Sequence, residues 1–231
     1  MKKIYVAVAM VAFLVFAGSG WATQISIYRG SGFYSGDGGE FTIYGFGSAT
    51  ESLYRNYVTG NVNDGGFQTF CLERDEYVGG GEYNAVINAN NQALGGGINA
   101  DLGDTISRGT AFLYYQFSLG SLSGYDYEQG VDHRAVSAGA LQQAIWWLED
   151  ELGDQAISNS FLDLVVTEFG SLASAKADTT GNYGVGVLNL TTLAGGLAQD
   201  QLVRTPVPEP ATMLLLGLGL IGLAGIRRKI N

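Results

Sequence analysis

The apolar positions of this chain change their period twice. Residues 24–28 and 41–46 carry β-branched and aromatic side chains in near alternation, bounded by Gly, Asp and Ser clusters. That is the pattern of half-buried strands. Residues 67–72 and 83–87 follow the same pattern. The period then lengthens. Asp104 or Thr105 stands where it can cap a helix over 106–119, which places Ala111, Leu113, Tyr114 and Phe117 on neighbouring turns. A second helix is predicted over 133–152, where Leu141, Ala144, Ile145 and Leu148 fall at i, i+3, i+4 and i+7 as one buried stripe. The acids at 149–151 then mark its solvated end. A third, over 160–172, opens with Ser160 and Asp163 in a Ser-x-x-Asp capping pattern. Residues 183–192 return to strand. Strands and helices thus come in blocks, which predicts an α+β fold, a β-sandwich or barrel-like core with a helical subdomain.

Composition sharpens this picture. The chain has 35 glycines, and its three prolines all lie near the C-terminus, at 206, 208 and 210. Glycine therefore does the turn-making for the strand-rich part. The stretch GSGFYSGDGG (30–39) reads as a loop between strands, because its glycines miss the dinucleotide-binding spacing and no helix pattern follows. NVNDGG (61–66) offers oxygen side chains but lacks the alternating ligands and distal glutamate of a calcium loop. No metal-ligand set and no cofactor motif is recognisable, and no repeat of fixed period.

The two ends carry their own signals. Lys2 and Lys3 precede an apolar run over 4–17, and Gly20 and Ala22 form a small-x-small cleavage site. These are the three parts of a secretory signal peptide over 1–22. At the other end Pro208, Glu209 and Pro210 precede an uncharged apolar run over 211–226, which Arg227, Arg228 and Lys229 close. The run is just short of the usual spanning length of about 17–25 residues, and the cations would hold its end on the cytoplasmic side. In that order and spacing the segment 207–229 resembles the PEP-CTERM sorting signal of Gram-negative bacteria. The resemblance implies an exosortase as partner and a short transmembrane helix within 206–231. It also implies transient residence in the inner membrane, then the cell surface or extracellular matrix. Between the ends, 23–205 is long enough for one domain with a buried core. Without the terminal signals seven basic residues face 21 acidic ones, a formal charge of −14. Such a surface repels nucleic acid.

An exported chain with one cysteine, Cys71, cannot build a disulfide framework. Four uses remain open: inert packing, a nucleophile, an intermolecular disulfide, or a modified side chain. A catalytic thiol needs a base, and the single histidine is His133, between Asp132 and Arg134. A Cys71–His133 hydrolase is therefore one alternative. A non-reactive structural protein of the exopolysaccharide matrix is another.

The fourth use draws on FCLE (70–73) and LQQAIWWLE (141–149). Together these resemble the thioester domains of bacterial surface adhesins, of the TQXA type. There an aromatic-Cys motif and an apolar-Gln-x-x-apolar-apolar motif supply an internal Cys–Gln bond. The resemblance implies Cys71 as the sulfur, Phe70 as the preceding aromatic and Gln142 as the acyl donor, with Gln143 in reserve. It also implies that TAFLYYQF (110–117) is the helix between the motifs. Leu141 departs from the threonine frequent before the glutamine. The implied role is covalent attachment to a surface amine or hydroxyl, one bond per molecule, and not enzymatic turnover.

Overall fold

The computed structural model describes residues 22–36, 38–47, 50, 52–53, 66–95, 103–128, 130–153, 155–181 and 183–205. Residues 1–21 of the expected signal peptide over 1–22, nearly all of 61–66, and the sorting residues Pro208, Glu209, Pro210, Arg227 and Arg228 lie outside them. Among the described residues no helix is long and apolar enough to cross a membrane; the apolar run 211–226 is not one of the segments described.

The element order is β1 (Thr23–Tyr28), β2 (Phe41–Tyr44), β3 (Phe67–Thr69), β4 (Gly81–Asn88), β5 (Gln92–Ala93), β6 (Asp104–Thr105), α1 (Arg108–Ser118), α2 (Arg134–Leu148), α3 (Ser160–Phe169), α4 (Leu172–Ala175), β7 (Val185–Thr192) and β8 (Leu197–Arg204). Six strands pair in the order β3-β2-β1-β4-β7-β8, every neighbour antiparallel. The two outer strands then meet. The Leu72 N–H donates to the Asp200 carbonyl at 3.1 Å, and the Leu202 N–H donates to the Phe70 carbonyl at 3.1 Å. Between those bonds Cys71 bridges Gln201, antiparallel. The sheet curls until its edges join, giving a barrel-like core and leaving neither outer edge open along this stretch.

The alternation seen in the sequence is the alternation of burial. Ile25 and Ile27 point inward from β1, and Phe41, Ile43 and Phe67 continue the same interior. Helix α1 adds Ala111, Leu113, Tyr114 and Phe117 to it, and α2 adds Leu141, Ala144, Ile145 and Leu148. Strand and helix residues form one hydrophobic cluster. The expected helical subdomain is therefore not a separate body: the helices share the core of the sheet.

Three local expectations are corrected. The cap of α1 is Ser107, whose hydroxyl accepts the Thr110 N–H at 3.1 Å; Asp104 and Thr105 instead form β6, paired to β5. Helix α3 is capped by Asn159, which accepts the Phe161 N–H at 3.0 Å, so Ser160 is its first residue. Glu149 does not mark a solvated end. It is 8% exposed and accepts the Ser107 N–H at 3.1 Å, tying the end of α2 to the start of α1. Its burial pushes the carboxyl up to about 7, against the hydrogen bonds of Thr110 and Ser107.

Candidate functional site

Cys71 follows β3 by two residues and lies fully buried where the sheet closes. In an extended chain successive peptide groups point to opposite sides. Phe70 and Leu72 turn theirs toward β8, so the N–H and C=O of Cys71 face the other way, into the core. Both are taken by one side chain. The Cys71 N–H donates to Oε1 of Gln142 at 3.1 Å, and Nε2 of Gln142 donates to the Cys71 carbonyl at 2.9 Å. The carboxamide of Gln142 is thus clamped to the residue that carries the sulfur. Gln142 is 1% exposed, whereas its neighbour Gln143 is exposed to solvent. One helical step separates a buried amide from a surface one.

The loop between β1 and β2 closes over this contact. The Gly39 N–H approaches Oε1 of Gln142 at 3.5 Å, a second and longer donor on the same oxygen. A Cβ on Gly38 would lie 2.0 Å from Cγ of Gln142, so only glycine admits the glutamine there. Two anchors hold the loop. Arg29 donates to the carbonyls of Gly36 and Gly38 at 2.5 and 2.6 Å, its guanidinium 3.8 Å from the centre of the Tyr34 ring. Glu40 is fully buried and accepts from Nε and a terminal nitrogen of Arg134 at 2.7 and 2.9 Å, and from the Tyr125 hydroxyl. Because Arg134 opens α2 and Glu40 ends the loop, this forked ion pair fixes the loop against the helix that bears Gln142. Burial pushes the Glu40 carboxyl up, opposed by Arg134.

The thiol itself is uncharged at neutral pH. Burial pushes it up to about 12; a hydrogen bond from Gln201 and the charge of Arg29 pull it down, and the charge of Glu73 pushes it further up. Phe70, the preceding aromatic, is buried and packs edge-to-face on Phe117 of α1 with ring centres 5.0 Å apart. That helix contains the TAFLYYQF segment, and its Tyr114 hydroxyl donates to the Gln68 carbonyl at 2.8 Å. Aromatic side chains therefore shield one side of the cysteine from water.

His133 is elsewhere in character. It is the residue before α2, its side chain is 48% exposed, and Nδ1 pairs with Asp126 at 3.0 Å. The hydrogen bond with Asp126, then the charge of Glu128, push its pKa up. The structure thus places His133 on the surface against acids and Cys71 in the core against Gln201. Asp126, Glu128 and His133 bring one ligand atom each within 4.8 Å of one another. All three are exposed; Asp126 accepts the Glu128 backbone N–H at 2.9 Å and pairs with His133 at 3.0 Å.

Sequence reasoning named Cys71, Phe70 and Gln142, but not Gly38, Gly39, Glu40, Arg29 or Arg134. The run Gly38-Gly39-Glu40 held the only signal: two glycines before an acid, next to a strand start.

The C-terminal segment is settled by comparison with known families. Residues 206–229 match the PEP-CTERM protein-sorting motif. The span covers Pro208, Glu209, Pro210, Arg227 and Arg228. A PEP-CTERM motif marks an exported protein, processed by an exosortase at the membrane and sorted to the cell surface. Comparison with curated proteins and with solved structures gives no match.

Proposed function

We propose that this PEP-CTERM protein is a covalent surface tether, whose Cys71 and Gln142 condense to an internal thioester that a surface nucleophile later opens. The observation that supports it most is the two-point clamp of the Gln142 carboxamide on the Cys71 backbone. The Cys71 sulfur attacks Cδ of Gln142, the Cδ–Nε2 bond breaks, the thiol proton goes to the departing nitrogen, and ammonia leaves. Charge that builds on Oε1 meets the N–H groups of Cys71 and Gly39, the arrangement that stabilises a tetrahedral intermediate. Fixed proximity supplies the effective concentration that an amide otherwise lacks. Because the thiol holds its proton up to about pH 12, attack is slow and rises with pH, which suits a bond made once during maturation.

The competing reading is a non-reactive matrix protein, and it also has an observation in its favour. The N–H and C=O of Cys71 are buried groups that need partners, and a glutamine fulfils both without chemistry. Methylamine separates the two readings. With a thioester it adds to Gln142 and frees the thiol, while Cys71→Ala and Gln142→Ala take no label and Gln143→Ala labels like the parent chain. Equal labelling of the parent and Cys71→Ala by peptide mass mapping would remove the bond from the account.

A further inference from the structure

The closure of the sheet at Cys71 is built on two buried carboxyls. Glu73 follows the cysteine by two residues, and Asp200 precedes Gln201, the partner of Cys71 in the bridge. Three hydrogen bonds knit them across the seam. The Leu72 N–H donates to the Asp200 carbonyl at 3.1 Å, and the Asp200 N–H donates to Oε2 of Glu73 at 2.9 Å. Nε2 of Gln199 donates to the Glu73 carbonyl at 2.5 Å.

The two carboxyls are unequally provided for. Asp200 accepts from the Leu94 N–H at 2.6 Å, the Leu190 N–H at 2.9 Å and the side-chain amide of Asn189 at 2.5 Å. Oε1 of Glu73 is buried without a partner among the described residues. No cation pairs with Glu73 there either, and Arg74 beside it is exposed. The charges that act on Glu73 are those of Asp200, from β8, and Glu76, from its own loop. Glu151, after α2, accepts the Arg74 N–H at 3.0 Å. The charge of Glu73 would also oppose ionisation of the Cys71 thiol, where Arg29 favours it. Burial, then the charge of Asp200, push the Glu73 carboxyl up, and burial pushes Asp200 up against its donors. As pH rises Asp200, with three donors, is the first to ionise; Glu73 is the last to give up its proton.

We propose that Glu73 is a proton latch on the sheet closure: neutral, it lets residues 70–73 lie against β8; ionised, it leaves the seam and opens the core beside Cys71. The motion is local. Arg74 and Asp75 are already exposed, so the segment swings into solvent without drawing a strand after it. In the open seam Glu73 returns to its ordinary 4.5. Its contribution to closure is therefore complete below that pH and is lost as pH rises. The open fraction grows up to about tenfold per pH unit until the closed form itself ionises. An amine reaches the Cys71–Gln142 bond through the same opening, a consequence that rests on the thioester reading.

Amide hydrogen exchange of the full-length protein, corrected for intrinsic exchange rates, tests the latch. The Leu72 and Leu202 amides bracket Cys71 in the seam, and Ala85 lies at the centre of the sheet. At about pH 8 the two seam amides should be about tenfold or more less protected than Ala85, and low urea should not change them. Their protection should fall about tenfold or more from about pH 6 to pH 8, and less than about threefold in Glu73→Gln. Should that variant fail to fold, Glu73→Met, which has no proton to lose, takes its place. Seam amides as protected as Ala85, or the same fall in the variant, would overturn the proposal. Methylamine labelling then separates the latch from the bond. At the higher pH Glu73→Gln should label about tenfold more slowly than the parent. Equal labelling would overturn the latch as the gate to the bond. No labelling in either chain would refute the thioester and leave the latch to the exchange result.

Discussion

At the scale of single residues, the site is decided by which side chains are missing as much as by those present. Gly38 leaves the space that Cγ of Gln142 fills, and a methyl group there would stand 2.0 Å from that carbon. Gly38→Ala should therefore push the carboxamide off Cys71, costing about 1–3 kcal/mol by overpacking. Urea denaturation measures that cost, and methylamine labelling should fall at the same time. Full labelling in Gly38→Ala would show that the clamp is not what activates Gln142. The pairing of Cys71 with Gln142 was expected only from the resemblance drawn on two short motifs, and the contact between the two residues is what the structure adds. Nothing in the local pattern around 141–143 separates Gln142 from Gln143. The structure separates them by burial, since one faces the strand closure and the other the solvent. Gly38 and Gly39 stayed hidden because a glycine in a loop looks the same whether it makes a turn or admits a neighbour.

At the scale of elements, β1, β2, β3, β4 and β7 and the three longer helices were readable from hydrophobic periodicity. Strand β8 was not. Its sequence, LAQDQLVR, is buried at seven of eight positions, including Gln199, Asp200, Gln201 and Arg204. Polar side chains on both faces erase the alternation. Three of them hold neighbouring backbone in place. Asp200 accepts the Leu94 and Leu190 N–H groups, Gln199 donates to the Glu73 carbonyl, and Arg204 donates to the Gly184 carbonyl. A strand that closes a sheet beside polar loops thus reads as coil. The Glu40–Arg134 pair is the other contact between elements that sequence hides, since 94 residues separate the partners. Glu40→Gln leaves the Arg134 charge buried without its carboxylate, which costs about 3–5 kcal/mol. The variant should melt lower, and it should label with methylamine more slowly than the parent even at temperatures where both stay folded. Unchanged labelling would mean that the loop reaches Gln142 without this anchor.

At the scale of the whole molecule, buried carboxyls govern the response to pH. Glu149 moves from an ordinary 4.5 to about 7 on burial, and burial also raises Glu73 and Asp200, whose charges oppose each other. The folded chain therefore holds more protons than the unfolded one above pH 4.5. Stability from Glu149 is complete below 4.5 and is lost as pH rises toward 7, and the raised Glu73 and Asp200 act in the same direction. Melting temperature should fall between about pH 5 and pH 8, and Glu149→Gln should flatten the part of that slope below pH 7. A melting temperature that rises across this interval would contradict the assignment of these groups as neutral in the fold.

The barrel-like closure, the helix bearing Gln142 and the sorting motif combine in one claim: an exported chain that arrives at the surface with a reactive bond in its core. Intact mass of the protein, purified from the exporting cell under non-reducing, amine-free conditions, tests it most directly. The chain should be lighter by one ammonia than its sequence requires, after any removal of its terminal signals is accounted for. Cys71→Ala and Gln142→Ala should each keep that ammonia. A parent chain at full mass, with a thiol that titrates as free cysteine after unfolding, would contradict the account.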